Sequence, residues 1–100
     1  MKQQDLSGIW APICTPFTEG EVDIGRLEKN IEIYSETPLR GYSALGGNGE
    51  TCMLDEKEKI KVLRTVLKGK EKDKLVMTNC SHGSARGTIA LTRQAAEEGA

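Results

Sequence analysis

The sequence predicts an α/β protein with a parallel sheet, in the order strand–helix–strand–helix–strand–helix. Short apolar runs begin at residues 8, 41 and 74, a recurrence of 33 residues, and an amphipathic helical pattern follows each run. Strands that alternate with helices at this spacing form right-handed βαβ units, whose strands are parallel. We therefore predict one domain over residues 1–100, with strand–helix units at about 8–37, 41–70 and 74–99.

The three predicted strands are short and nearly continuous in apolar residues. This pattern is typical of strands that are buried on both faces, and their length argues against helices. The runs are GIWAPICTPF (8–17), GYSALGG (41–47) and KLVMTNC (74–80).

The first predicted helix begins after Asp23, a residue type that accepts hydrogen bonds at helix N-termini. It ends before Pro38, which disfavours a helical conformation at Thr37. Its apolar residues recur at i, i+3, i+7 and i+10, which places them on one face. They are Ile24, Leu27, Ile31 and Tyr34.

The second and third predicted helices also carry terminal signals. Asp55 and Glu58 have the spacing of a capping box, and Gly69 can close the second helix. Ser84 can cap the third helix. The predicted apolar face of the second helix contains Ile60, Leu63 and Leu67, and that of the third contains Ile89, Ala95 and Ala96.

Composition and charge exclude several classes of function. The net charge is −1, so that no basic excess points to nucleic acid or an anionic membrane surface. No apolar run reaches the roughly 18 residues that a membrane span requires. Three widely spaced cysteines do not form a disulfide or zinc pattern, and they favour reduced thiols in a cytoplasmic protein.

The segment LGGNGET (45–51) is the main candidate for a binding site. Gly46, Gly47, Asn48 and Gly49 follow the second predicted strand, and ligands of parallel α/β folds bind at the carboxyl ends of the strands. Glycines allow positive φ and lack a Cβ, so that successive N–H groups can face one carboxylate or phosphate. The residue types alone favour a plain tight turn over a binding site as the interpretation.

Other polar or aromatic residues have simpler interpretations. His82, the only histidine, follows the third predicted strand and fits an exposed loop, with a contact to substrate as the alternative. Trp10 and Tyr42 lie in or beside predicted strands and fit packing roles.

The chain resembles the dihydrodipicolinate synthase / N-acetylneuraminate lyase family. The resemblance is carried by LGGNGET before LDEKEK, with IWAPICTPF upstream and VMTNCSHGSARGTIALTRQAAEEGA downstream. Its most specific part is the G-x-x-G-E segment from Gly46 to Glu50. Members are class I aldolase-type (β/α)8 TIM barrels that form a Schiff base with pyruvate or another 2-oxo acid. The resemblance implies that this chain is the first three units of such a barrel.

The resemblance also implies a role for the glycine loop. In the family, backbone N–H groups at the positions of Gly47 and Asn48 bind the carboxylate of the 2-oxo acid. Members often have hydroxyl residues at both positions, and the first hydroxyl joins a proton relay that Gly47 cannot supply. Asn48 is similar to the residue in some hydroxy-oxoglutarate and keto-sugar-acid aldolases. Pro12 and Thr15, at the end of the first predicted strand, are expected near the site.

The residues that perform the chemistry lie elsewhere in the family's barrel. The lysine of the Schiff base belongs to the sixth strand and the catalytic tyrosine to the fifth, so that no catalytic residue is assigned here. The lysine imine accepts the electrons, and the resemblance therefore implies neither a metal nor an organic cofactor. The function expected is the carboxylate-binding part of a lyase or synthase that acts on a small 2-oxo acid.

A non-catalytic partial barrel is the alternative hypothesis. Three parallel strands leave two exposed edges, and unpaired edges favour pairing with another chain. Such a chain would self-associate or act as a binding module. For the same reason we expect a homo-oligomer.

Overall fold

The structure is a computed structural model that describes residues 5–100, so that residues 1–4 of the predicted domain lie outside the described residues. The strands are β1 (Trp10–Pro12), β2 (Phe17–Thr18), β3 (Glu21–Val22), β4 (Gly41–Ala44) and β5 (Leu75–Thr78). The helices are α1 (Ile24–Tyr34), α2 (Glu56–Gly69) and α3 (Ala85–Glu98), with a single 3-10 turn at Thr51–Met53.

The main sheet has three parallel strands in the order β1–β4–β5. One helix separates each pair of consecutive parallel strands, and α3 follows the last strand. The predicted α/β class with alternating parallel strands and helices is confirmed.

The prediction that the first strand extends over residues 8–17 is wrong. The run 8–17 forms β1 over three residues only, and Phe17 belongs to a separate antiparallel hairpin, where it pairs with Val22. Pro12 and Pro16 lack the N–H group that a strand ladder needs, which breaks the run. The hairpin turns at Glu19 and Gly20, both with positive φ (53° and 82°).

The core lies between the sheet and the helices. Tyr42 and Ala44 of β4 are fully buried, and so are Leu27 and Ile31 of α1. The rings of Tyr34 and Tyr42 pack with centroids 6.2 Å apart. Tyr42 therefore has the predicted packing role.

Trp10 packs on the opposite face of the sheet from Tyr42. Trp10 is paired with Gly41, and a Cβ at Gly41 would lie 2.8 Å from Cζ3 of the indole. The indole Nε1 donates a hydrogen bond of 3.0 Å to the carbonyl of Leu6. Trp10 is half-buried and has the predicted packing role as well.

The predicted N-terminal caps are all confirmed. Asp23 accepts a hydrogen bond from the Arg26 N–H at 2.9 Å, and Ser84 accepts one from the Gly87 N–H at 3.0 Å. The capping box of α2 is reciprocal: Asp55 accepts from the Glu58 N–H at 2.8 Å, and Glu58 accepts from the Asp55 N–H at 2.9 Å.

Gly69 has a different role from the predicted helix closure. It is the last residue of α2, and Lys70 follows it with φ −71°, outside the left-handed region that closes helices. A Cβ at Gly69 would lie 3.1 Å from Cγ2 of Ile31. The glycine therefore allows α1 and α2 to approach closely.

The predicted buried face of α3 is wrong for two of its three residues. Ile89 is 54% exposed and Ala96 is exposed, whereas Leu91 and Ala95 are buried. Leu91 and Ala95 are four residues apart and lie on the same face of α3. Ile89 and Ala96 lie outside that face. On α2, Ile60 and Leu63 are buried as predicted.

Within residues 5–100, none of the helices has both the length and the apolar character needed to cross a membrane. The three cysteines all have free thiols.

Candidate functional site

The carboxyl ends of the three parallel strands lie at one edge of the sheet. Pro12 at the end of β1 pairs with Ser43, and Ala44 at the end of β4 pairs with Thr78 at the end of β5. The segments that follow these strands therefore meet at the same edge. They are residues 13–16, 45–53 and 79–84.

The loop after β4 is a tight turn that uses two of its own N–H groups. Gly49 N–H donates to the Gly46 carbonyl, and Glu50 N–H donates to the Gly47 carbonyl, both at 3.1 Å. The N–H groups of Gly47 and Asn48 have no acceptor among residues 5–100. Gly47 and Asn48 are exposed, so that two successive peptide donors are open at the site edge.

The prediction that these glycines provide positive φ is wrong. The left-handed residues are Leu45 (φ 60°) and Glu50 (φ 57°), on either side of the three glycines. Gly49 instead has a packing role, since a Cβ there would lie 3.2 Å from Leu45 Cα and 3.3 Å from the Ile13 carbonyl oxygen. The loop rests on the end of β1 through this contact.

Gly46 and Gly47 differ from Gly49. A Cβ built on either one meets no heavy atom of the chain within 4 Å. Neither the backbone conformation nor packing within residues 5–100 requires glycine at these two positions.

A cavity of about 660 Å³ lies between the loops that follow β4 and β5. Of the six predicted site residues, Gly47 alone lines it. The lining residues are Gly47, Thr51, Cys52, Lys59, Asn79, Ser81, His82 and Gly83.

The other predicted residues lie at the same edge but outside this cavity. Pro12 is exposed at the end of β1, and Thr15 is buried, with 5% of its surface exposed. Gly46 is half-buried and Asn48 is exposed. The structure thus gathers the predicted residues at one edge without placing Pro12 and Thr15 beside Gly47 in the cavity.

Lys59 is the residue that the sequence reasoning missed. Its charge favours an exposed position on the second helix, but it is only 9% exposed and lines the cavity beside the glycine loop. Its ammonium forms no hydrogen bond or ion pair with residues 5–100. The signal was available, since Lys59 lies three and seven residues before the buried Val62 and Val66.

Lys74 is also buried, but at the opposite end of the sheet. Its Nζ donates to the carbonyls of Thr37 and Leu39 at 2.8 and 3.0 Å. This ammonium is occupied by the connection between α1 and β4 and does not reach the site edge.

His82 is held by local contacts. Its Nε2 lies 2.8 Å from Oε1 of Glu56, and its Nδ1 accepts a hydrogen bond of 3.2 Å from the Ser84 N–H. Nδ1 can accept the bond from Ser84 only when it carries no proton. The proton of the neutral ring is then on Nε2, which donates to the carboxylate of Glu56. His82 therefore connects the loop after β5 to the start of α2, and it also lines the cavity.

The chain is similar to known proteins over nearly all of its length. The dihydrodipicolinate synthetase family model matches residues 5–100. The 4-hydroxy-tetrahydrodipicolinate synthase of Methanothrix thermoacetophila is 33% identical over 94 residues, which are 93% of this chain and 31% of that protein.

Solved structures of the same family are similar to the chain as well. Dihydrodipicolinate synthase from Aquifex aeolicus is 29% identical, with a TM-score of 0.87 over 93% of this chain and 32% of its own. A chloride-inhibited dihydrodipicolinate synthase from Acinetobacter baumannii, complexed with pyruvate, is also 29% identical, with a TM-score of 0.90 over 96% of this chain and 33% of its own.

The chain spans about a third of the length of these relatives. Its three strand–helix units match part of their TIM barrels, as the predicted partial barrel requires. With the family model matching residues 5–100, the chain belongs to the dihydrodipicolinate synthetase family.

Proposed function

We propose that this chain supplies the carboxylate-binding loop of a Schiff-base-forming lyase or synthase that acts on pyruvate or a related 2-oxo acid. The observation that carries the proposal is the pair of successive N–H groups at Gly47 and Asn48, which have no acceptor among residues 5–100. Both donors lie at the carboxyl end of β4, where parallel α/β folds bind their ligands.

Two peptide donors are suited to this task because they are fixed by the turn itself. The bonds from Gly49 and Glu50 to the carbonyls of Gly46 and Gly47 hold the loop, so that little rearrangement accompanies binding. A carboxylate bound at the donors orients the neighbouring ketone toward an attacking amine, which lowers the entropic part of the barrier. Condensation of the amine with the ketone releases water and gives an imine, and loss of a proton from the neighbouring carbon gives the enamine. The enamine carbon then attacks the carbonyl carbon of a second compound to form a C–C bond, and the reverse sequence breaks one.

Family membership favours this function over a non-catalytic binding module. The relatives carry the name 4-hydroxy-tetrahydrodipicolinate synthase, and one similar structure was solved with pyruvate. Pyruvate is therefore the first ligand to test. The amine is expected from the sixth strand of the barrel, outside these three units.

The first experiment is a titration of the isotopically labelled chain with pyruvate, followed by amide NMR. We expect the largest shifts at the Gly47 and Asn48 amides, with much smaller shifts at Gly87, whose N–H is bonded to Ser84. Methyl pyruvate, which lacks the carboxylate charge, is the matched ligand control and should cause little change. Equal shifts with both ligands, or none with pyruvate, contradict the proposal.

Asn48→Ala separates the backbone from the side chain. The variant keeps the N–H at position 48, so that pyruvate should perturb it as it does the unchanged chain. Loss of the response in Asn48→Ala would move the interaction from the peptide donors to the side-chain amide.

Borohydride trapping with pyruvate tests whether the chain carries a reactive amine. We expect no stable adduct, because Lys74 is bonded to two carbonyls and no lysine here corresponds to the family's imine-forming residue. Among residues 5–100, Lys59 is the one lysine that lines the cavity beside the glycine loop, and Lys59→Arg is the matched variant. An adduct that Lys59→Arg abolishes would show that the reactive amine lies in this segment.

A further inference from the structure

We infer that Gly47 is a specificity-determining residue, which leaves room for a methyl or hydroxyl group that the 2-oxo acid already carries, before the C–C bond forms, on the carbon next to the ketone. This inference rests on the proposed function, because it assumes that the ligand's carboxylate binds the Gly47 and Asn48 N–H groups. It adds a substrate class: substituted 2-oxo acids that take the place of pyruvate as the partner that supplies this carbon.

Nothing in the fold of residues 5–100 requires glycine at position 47. Its φ lies outside the left-handed region, which Leu45 and Glu50 occupy instead. A Cβ there meets no heavy atom within 4 Å, whereas one at Gly49 lies 3.2 Å from Leu45. A side chain at position 47 would therefore be tolerated by the backbone and by its neighbours.

A side chain at position 47 would lie beside a ligand that is bound to the N–H group of that residue. The N–H and the Cβ position of one residue are adjacent, so that a ligand bound to the Gly47 N–H passes beside the space that a side chain would fill. That space opens on the cavity of about 660 Å³ between the loops after β4 and β5. The absent Cβ therefore enlarges the region next to the ligand's carboxylate and ketone.

The cavity beside Gly47 is lined by polar side chains. They include the amide of Asn79 and the hydroxyl groups of Thr51 and Ser81. An amide can donate to and accept from a hydroxyl group. A hydroxyl substituent is thus accommodated as well as a methyl group, and hydroxypyruvate and 2-oxobutyrate are the two probes to compare with pyruvate.

The test compares Gly47→Ala with Gly25→Ala in the full chain. Gly25 is exposed on α1, outside the cavity, and a Cβ there meets only Oδ1 of Asp23 at 3.6 Å, an ordinary contact, which makes it the control. Dissociation constants for pyruvate, 2-oxobutyrate and hydroxypyruvate are measured by the amide shifts, and thermal unfolding is followed for each protein.

We expect Gly47→Ala to unfold at a temperature close to that of the unchanged chain. Gly47→Ala should bind pyruvate within about twofold of the unchanged chain, since the N–H groups remain. It should lose about tenfold in affinity for 2-oxobutyrate and hydroxypyruvate, the effect typical of one excluded carbon atom. Gly25→Ala should change none of these constants.

The outcomes separate the two proposals. Equal losses for all three acids, or no loss for the two larger ones, overturn the specificity role while pyruvate binding by the unchanged chain still supports the proposed function. A marked drop in the unfolding temperature of Gly47→Ala would show a structural need for glycine and also overturn the inference. If the unchanged chain does not bind pyruvate, the proposed function fails first and the inference fails with it.

Discussion

Gly46 and Gly49 lie in the same loop, but a side chain would meet different surroundings at each. A Cβ at Gly49 would contact backbone atoms of Leu45 at 3.2 Å and of Ile13 at 3.3 Å, while one at Gly46 meets nothing within 4 Å. Backbone atoms at such distances cannot move without displacing the turn or the end of β1. The sequence shows three equivalent glycines, and only the fold distinguishes them.

We expect Gly49→Ala to lower the free energy of unfolding by about 1–3 kcal/mol, as overpacking does. The change should also shift the amide resonances of Gly47 and Asn48, because it displaces the turn that holds them. Denaturant unfolding and amide NMR measure the two effects. Gly46→Ala is the matched control and should leave both nearly unchanged; equal effects of the two variants would contradict the packing role of Gly49.

The carboxyl group of Asp23 is expected to make the stability of the fold depend on pH. The Thr18 hydroxyl donates to its Oδ2 at 2.6 Å, and this bond, followed by that from the Arg26 N–H, holds the pKa of Asp23 below its ordinary value. A carboxyl whose pKa is lower in the folded state stabilises the fold above its unfolded pKa of about 3.9. That contribution is lost as the pH falls from there through the lowered folded pKa.

Thr18→Val removes the hydroxyl and should raise the pKa of Asp23 toward its ordinary value, as measured by NMR titration of the carboxyl carbon. The variant should then lose less stability on acidification than the unchanged chain. Thr92→Val, which removes a hydroxyl bonded to a helix carbonyl far from Asp23, is the control. An unchanged Asp23 pKa in Thr18→Val would show that the hydroxyl bond is not the dominant cause.

At the scale of elements, the helix N-termini were the most predictable features. Asp23, Asp55 and Ser84 cap their helices because each presents an oxygen to an N–H group that has no partner within the helix. This is local chemistry, and the sequence displays it directly. The hairpin of Phe17–Thr18 with Glu21–Val22 was missed, because its two-residue strands are too short for an alternating pattern.

The capping box of α2 offers a direct test of one element. Asp55→Ala should lower the free energy of unfolding by about 1 kcal/mol, since the Glu58 N–H loses its acceptor. Asp55→Asn retains a capping oxygen and should be much less destabilised. Denaturant unfolding of the two variants measures this difference, and equal losses in both would indicate that the charge, not the hydrogen bond, stabilises the helix.

The helix faces are less predictable than the helix N-termini. The charge of Lys59 favours an exposed position, although its spacing to Val62 and Val66 places it on the buried side of α2. Ile89 was assigned to the core by its hydrophobicity, although it lies away from Leu91 and Ala95. In both cases, residue type was weighted above position on the helix, and the packing partners decided otherwise.

At the scale of the whole molecule, the recurrence of 33 residues was sufficient to predict the parallel order of strands and helices. The predicted site was only partly recoverable. The carboxyl-end rule predicts that Gly46–Gly49 lie at one edge, and the family resemblance adds Pro12 and Thr15, but the cavity there is shared with Lys59 and the loop after β5. Contacts between loops that are distant in sequence leave no periodic signal, and they appear only once the chain is folded.

The open sheet edges predict self-association of this chain. Among residues 5–100, β1 and β5 each pair on one side only, and Met77 of β5 is 41% exposed. We expect the mass from light scattering to rise with concentration, and Met77→Lys to reduce that rise because edge charges oppose strand pairing. Met53→Lys, at a methionine 75% exposed in the 3-10 turn, is the control. A monomer at every concentration would contradict the expectation.

The position of Trp10 makes it an intrinsic fluorescence probe of the sheet. It is the only tryptophan, and its indole lies across Gly41, where the outer strand joins the centre of the sheet. Detachment of that strand would expose the ring to water and shift its emission to longer wavelength. Intrinsic fluorescence can therefore follow the fraying of this strand without any attached dye.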